Sequence, residues 1–180
     1  MPEPSRVLLA AAALLAAAMP AACDDQLPHV RYEPTPPEIV EEMLELAKVG
    51  PKDVVYDLGS GDGRVVIAAA KRGARAVGVE IDRELVERAR RAAREAGVAQ
   101  RAAFRHQDLF DADFRDATVV MLYLLPEVNL ALRPRLLEVL APGTRIVSHS
   151  HDMGDWSPDD AREMPDQTGR LHRLYLWVVP

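Results

Sequence analysis

A chain of 180 residues is long enough for one domain with a sizeable core, without disulfide staples. Its 28 acidic and 22 basic residues leave a net charge of -6, which argues against nucleic acid or anionic membrane as a general partner, because phosphate binding rests on clustered Lys and Arg. The single cysteine, Cys23, excludes an intramolecular disulfide.

In chain order, the first feature is Val7–Ala22, an uncharged and mostly apolar run behind Arg6. A membrane-spanning helix needs about 20 such residues, so the shorter run reads as a secretory signal. Residues 1–22 are therefore expected to be a signal peptide, 23–34 a linker and 35–180 the folded domain. Cys23 follows the run directly, and the segment resembles a bacterial lipoprotein signal, which would tether the protein to a membrane through that cysteine. Pro20 stands where such signals usually carry an aliphatic side chain, and an unmodified thiol is the alternative.

Thr35, Pro36 and Glu38 predict a capped helix start, with Ile39, Val40, Met43, Leu44 and Ala47 on one face and Gly50-Pro51 as the stop. Strand and helix then alternate. Val54–Leu58 reads as a strand, Gly63–Arg72 as a helix, Ala74–Glu80 as a strand and Asp82–Ala96 as a helix. Strands Ala102–Gln107 and Ala117–Leu124 follow, then a helix near Pro134–Leu140 and a strand at Thr144–Ser150. Arg173–Val179 is the last strand, paired with residues around Arg162–Met164. This alternation predicts an α/β fold, a doubly wound, Rossmann-like three-layer sandwich with a mostly parallel sheet and an antiparallel C-terminal edge.

The first strand runs into a loop with Gly59, Gly61 and Gly63 at alternate positions. No Gly-Lys-Ser/Thr follows, as an NTPase loop needs, and the third glycine of a dinucleotide fingerprint would fall on Arg64. Asp57 and Asp62 beside the loop would repel a pyrophosphate and suit a cation. Glu80 ends the second strand, where a carboxylate can accept from both ribose hydroxyls. Asp108 follows the third, where it can accept from the adenine amine. Asp57, Glu80 and Asp108 describe a site for a nucleoside that is positively charged near its sugar and has no phosphate. S-adenosyl-L-methionine fits that description.

DLGSGDG, GVEID and QDLF resemble the signature of class I, seven-strand S-adenosylmethionine-dependent methyltransferases. LYLLPEVNLALRP, PGTRIVSHS, DMGDW and YLWVVP are similar to bacterial relatives of the mitochondrial protein-lysine methyltransferase family that modifies the ATP synthase c-subunit and the adenine nucleotide translocase. The resemblance implies S-adenosyl-L-methionine as methyl donor, held by Asp57, Gly59, Gly61, Gly63, Glu80, Ile81, Asp108 and Leu109, with Tyr32 in a segment that closes over it. It also implies a protein substrate with a lysine acceptor.

The resemblance further implies that the end of the fourth strand, LYLLPE, faces the transferring methyl group. The Asn/Asp-Pro-Pro-aromatic motif of many N-methyltransferases is absent there. Tyr123 and Glu127 are the candidates for orienting the acceptor, with Asn129 behind them. His149 and His151 read as a solvated strand end ahead of a metal site. Packing is favoured over an acceptor entrance for Asp155-Trp156, and Arg83, Arg88, Arg90, Arg91 and Arg94 read as a solvated helix face. A monomer is expected. The competing functions are methylation of a small molecule and an exported protein that keeps the fold without catalysis. The last arises because the methyl donor is made in the cytoplasm, whereas the N-terminus predicts export to the periplasm or envelope. Translation from Met19 would instead give a cytoplasmic form.

Overall fold

The computed structural model describes residues 32–180, so the expectations for the signal segment, Met19 and Cys23 lie outside the described residues. Its elements are α1 (Pro37–Leu46), β1 (Val54–Leu58), α2 (Arg64–Lys71), β2 (Arg75–Glu80), α3 (Arg83–Glu95), β3 (Ala102–His106), β4 (Val119–Leu122), α4 (Pro126–Val139), β5 (Arg145–His149), β6 (Asp160–Pro165) and β7 (Leu171–Val178). They build one seven-stranded sheet in the order β3-β2-β1-β4-β5-β7-β6. The first five strands pair in parallel, and β7 runs antiparallel to both β5 and β6. This is the doubly wound α/β arrangement that the sequence predicts.

Successive strand residues point to opposite faces, so each central strand feeds two cores. Val55, Ala76, Val119, Met121 and Val147 meet α1, α2 and α3 on one side. Tyr56, Val77, Val120, Leu122 and Ile146 meet α4, Phe114 and Trp177 on the other. The edge strand β6 is exposed and charged at Asp160, Arg162 and Glu163, which blunts pairing with another chain.

Proline decides where two helices begin. Helical backbone is disfavoured for the residue before a proline. Pro36, ahead of Pro37, is extended (ψ 145°) and caps α1, while Leu125, ahead of Pro126, is extended (ψ 152°) and caps α4. The capping box expected at Thr35 and Glu38 is therefore not formed. The Thr35 hydroxyl bonds His149 instead, and Glu38 Oε1 accepts from Gln167 N at 2.8 Å.

The fourth helix also corrects the sequence reading. It starts at Pro126, eight residues ahead of Pro134, which sits inside it. Pro134 lies on the exposed side, so the Leu130 carbonyl that it leaves without a partner can turn to water. Val128, Leu132 and Leu136 meanwhile keep an unbroken buried stripe.

Candidate active site

The winding of the sheet reverses between β1 and β4, where a doubly wound fold opens a crevice beyond its strand ends. A cavity of about 220 Å³ lies there. The β1 loop lines it with Asp57 and Gly59–Asp62, the segment before α1 with Tyr32–Thr35, and the end of β4 with Leu122–Leu125. His151 completes the wall.

Loop geometry requires its glycines. Gly59 N and Ser60 N both donate to Val79 O, at 2.8 and 3.0 Å, and Gly61 N donates to Glu80 Oε2 at 2.8 Å. Gly61 has φ +52°, and a Cβ there would stand 2.5 Å from Tyr32 Cε2, so the missing side chain is what lets the Tyr32 ring lie on the loop. Gly63, at φ +82°, caps α2 where a Cβ would meet Phe104 Cε1 at 2.6 Å and Ala89 Cβ at 2.8 Å.

The acids beside the loop differ in what compensates them. Burial opposes ionisation of Asp62, but bonds from Arg64 and Tyr32 outweigh it and hold its carboxyl below the usual range. Arg64 grips Asp62 through Nε and Nη2 at 2.9 and 2.7 Å and reaches Thr35 O at 2.6 Å, tying the segment before α1 to the loop. Asp57 has no such partner among the described residues. It is 6% exposed, and burial, then Glu80 and Asp62, push its pKa up to about 8. Among the described residues neither Asp57 nor Glu80 has a salt bridge. A buried Asp57 and a half-buried Glu80 without a cation, beside a loop of bare backbone, fit a ligand with a cationic end and hydroxyls and disfavour a phosphate.

Of the residues expected at the site, Tyr32, Asp57, Gly59, Gly61 and Tyr123 line the cavity, and Glu80 adjoins it through Gly61. Gly63, the cap of α2, is not among the residues that line the cavity. Ile81, Asp108 and Leu109 follow β2 and β3 outside the enclosed part, where His106 Nε2 bonds Ile81 O at 3.0 Å and Asp108 accepts from Phe110 N at 2.8 Å. Glu127 sits on the exposed first turn of α4, away from the cavity lining. Asn129 is fully buried and donates to Ser148 Oγ at 3.1 Å. Trp156 packs on Trp177, with ring centroids 5.9 Å apart, in line with the packing reading.

His149 is not solvated, contrary to expectation. It is fully buried, because β7 pairs with β5 and brings His172 to within 2.8 Å of it. Burial, then His172, His151 and Arg170, push its pKa down to about 3. Ser150 follows with φ +67° and turns the chain so that His151 reaches the cavity. Sequence reasoning misses Arg64 and His172. Arg64 has a local signal, a cation two residues after a loop acid, whereas His172 has none.

Fold, glycine loop and uncompensated acids define a class I methyltransferase with S-adenosyl-L-methionine as its methyl donor. A solved structure described as an RNA methyltransferase from Salinibacter ruber, in complex with S-adenosyl-L-homocysteine, is 56% identical with a TM-score of 0.76, over 82% of this chain and 94% of that one. The family model described as the ANTKMT methyltransferase domain matches residues 57–160, and the chain belongs to that family. A protein-lysine N-methyltransferase of Saccharolobus islandicus is 44% identical over 85% of this chain and 96% of its own length. The adenine nucleotide translocase lysine N-methyltransferase of Mus musculus is 38% identical over 66% of this chain. This chain spans 52% of that mouse protein, about half of its length.

Proposed function

We propose that the protein methylates the ε-amine of a lysine in another protein. The observation that carries this reading is the 44% identity to the Saccharolobus islandicus protein-lysine N-methyltransferase, over 85% of this chain and 96% of that one. When bound, the donor supplies an electrophilic methyl group on a sulfonium, so the protein's task is chiefly alignment. Asp57, Gly59, Gly61, Gly63, Glu80, Ile81, Asp108, Leu109 and Tyr32 are assigned to the donor. A lysine must shed the proton that its pKa of about 10.4 otherwise keeps, and the wall of Tyr123, Leu124 and Leu125 favours the neutral amine. Tyr123 is assigned to orienting that amine, and Glu127 to the flank of the substrate.

Likeness to the Salinibacter RNA methyltransferase favours a second reading, RNA as acceptor. The net charge of -6 and the commitment of Arg64 to Asp62 and Thr35 weigh against it. Incubating the protein with labelled methyl donor and an extract of its source cells tests both. Methyl-lysine in a labelled protein is the expected result, and label confined to RNA or small molecules would overturn the proposal.

We further infer, from Val7–Ala22 and Cys23, that the protein is exported or membrane-tethered by its N-terminal signal, with a lipid on Cys23 as the tether and a cytoplasmic form begun at Met19 as the alternative. N-terminal analysis of the native protein is expected to find lipid-modified Cys23. Chains beginning at Met19 would instead mean a cytoplasmic enzyme with direct access to the donor.

A further inference from the structure

A buried file of four side chains runs from the cavity to the turn between β6 and β7. Thr35 Oγ1 lies 3.2 Å from His149 Nδ1, His149 Nε2 lies 2.8 Å from His172 Nδ1, and His172 Nε2 lies 3.1 Å from Asp166 Oδ2. Thr35, His149 and His172 are at most 5% exposed, and Thr35 lines the cavity. Asp166 Oδ1 is taken by Thr168 N, Thr168 Oγ1 and Arg170 N, which leaves Oδ2 to His172. These bonds, foremost that from the Thr168 hydroxyl, hold the Asp166 carboxyl well below its usual range, so it only accepts.

One end of the file therefore sets the direction of all of it. In its singly protonated form His172 donates from Nε2 to Asp166 and accepts at Nδ1. His149 then donates from Nε2 and accepts at Nδ1, and the Thr35 hydroxyl donates to His149, which leaves its lone pairs free for a group in the cavity that Thr35 lines. One added proton reverses the file: His172 donates from both nitrogens, His149 donates from Nδ1 to Thr35, and the Thr35 O–H points into the cavity. Among the described residues, charged and titratable neighbours of His149 are few. Tyr123 at the end of β4 covers its ring at 4.0 Å, His151 follows on its own loop, and Arg170 on the hairpin pairs with Glu33 before α1.

We propose that this file is a proton relay that removes the surplus proton of the lysine ammonium before methyl transfer, an inference that rests on the lysine reading above. The ammonium N–H bond breaks as Thr35 Oγ1 takes its proton, and the bonding pair stays on nitrogen as the nucleophile's lone pair. The proton that Thr35 carried passes to His149 Nδ1, and the Nε2 proton of His149 passes to His172 Nδ1. The step ends with His172 as an imidazolium against the Asp166 carboxylate, next to the exposed residues Gln167–Gly169. Thr35 is the catalytic residue here, and His149, His172 and Asp166 are positioning residues.

Asp166→Asn tests the polarity with almost no change of shape. The carboxamide keeps an oxygen for the turn donors but presents N–H to His172 Nε2, which forces the reversed file. Histidine 15N NMR is expected to show Nε2–H on His149 and His172 in the native protein and Nδ1–H on both in the variant. Binding of S-adenosyl-L-homocysteine by calorimetry should stay within about twofold. With the lysine protein found by the labelling experiment as acceptor, kcat at neutral pH should fall by roughly 10²-fold and recover as pH rises and the amine deprotonates in solution. Thr35→Val should lose the same rate and Thr35→Ser regain it, which keeps the comparison available if Asp166→Asn does not fold. An Nδ1–H tautomer of His149 in the native protein, or an unchanged pH profile in the variants, would overturn the relay. Label on RNA alone would end its role toward an amine and the lysine reading together, whereas a wrong tautomer on a lysine-methylating enzyme would end the relay only.

Discussion

Asp57 concentrates the electrostatic cost of the free site. Its pKa rises from 3.8 to about 8, so between those values the folded chain keeps a proton that the unfolded chain has released. The contribution of this proton to stability is full below about pH 4 and is lost as pH rises through about 8. The ligand-free protein should therefore unfold more readily at high pH, by on the order of a few kcal/mol, and Asp57→Asn should flatten that part of the profile in thermal melts. A cationic ligand reverses the preference of Asp57. Donor binding near neutrality is expected to release up to about one proton, read by calorimetry in buffers of different ionisation heat, and Asp57→Asn should release none.

Two other single residues separate strain from crowding. Gly63 and Gly97 both have positive φ, +82° and +70°, but a Cβ at Gly97 would meet nothing within 4 Å, whereas one at Gly63 would strike Phe104 and Ala89. Gly97→Ala should cost about 1 kcal/mol and Gly63→Ala about 3 kcal/mol or more in urea unfolding.

Among the elements, α4 is the one whose sequence sends two messages. Val128, Leu132 and Leu136 repeat every four residues, which is legible as a helix face, but Pro134 reads as a boundary. The proline misled because its cost depends on where the freed carbonyl points, which spacing alone does not say. Pro134→Ala restores the missing bond on an exposed turn and is expected to stabilise the protein by about 1 to 3 kcal/mol, as a higher urea midpoint with unchanged slope. The other strands and helices were legible because each carries its own period and its own stop. Asp57, Gly59, Gly61 and Glu80 were legible for the same reason, since they lie at the ends of those elements. Thr35 was not, because its cap pattern is local while its partner His149 lies 114 residues away. His172 and Asp166 owe their roles to the register of β7 against β5 and β6, which no local pattern encodes.

At the scale of the whole molecule, an excess of acidic charge and a cavity arginine already spoken for predict weak association with phosphate polymers. Gel retardation of structured RNA at physiological salt should show no specific complex; a tight one would return RNA to the front as acceptor. The hairpin of β6 and β7 also reaches back to the segment before the first strand. Arg162 pairs with Glu42, Arg170 with Glu33 at 3.2 Å, and Gln167 N donates to Glu38 at 2.8 Å.

Strand β7 lies between β5 and β6 although both precede it in the chain. On the ribosome, the glycine loop is made early, but the free edge of β5 waits unpaired until Leu171–Val178 has emerged. Until then the segment at Tyr32–Glu38 has no hairpin to hold it over the loop. The bond from Arg64 to Thr35 O ties that segment to the loop in the meantime, and the hairpin closes the site as the last strand of the sheet is laid down.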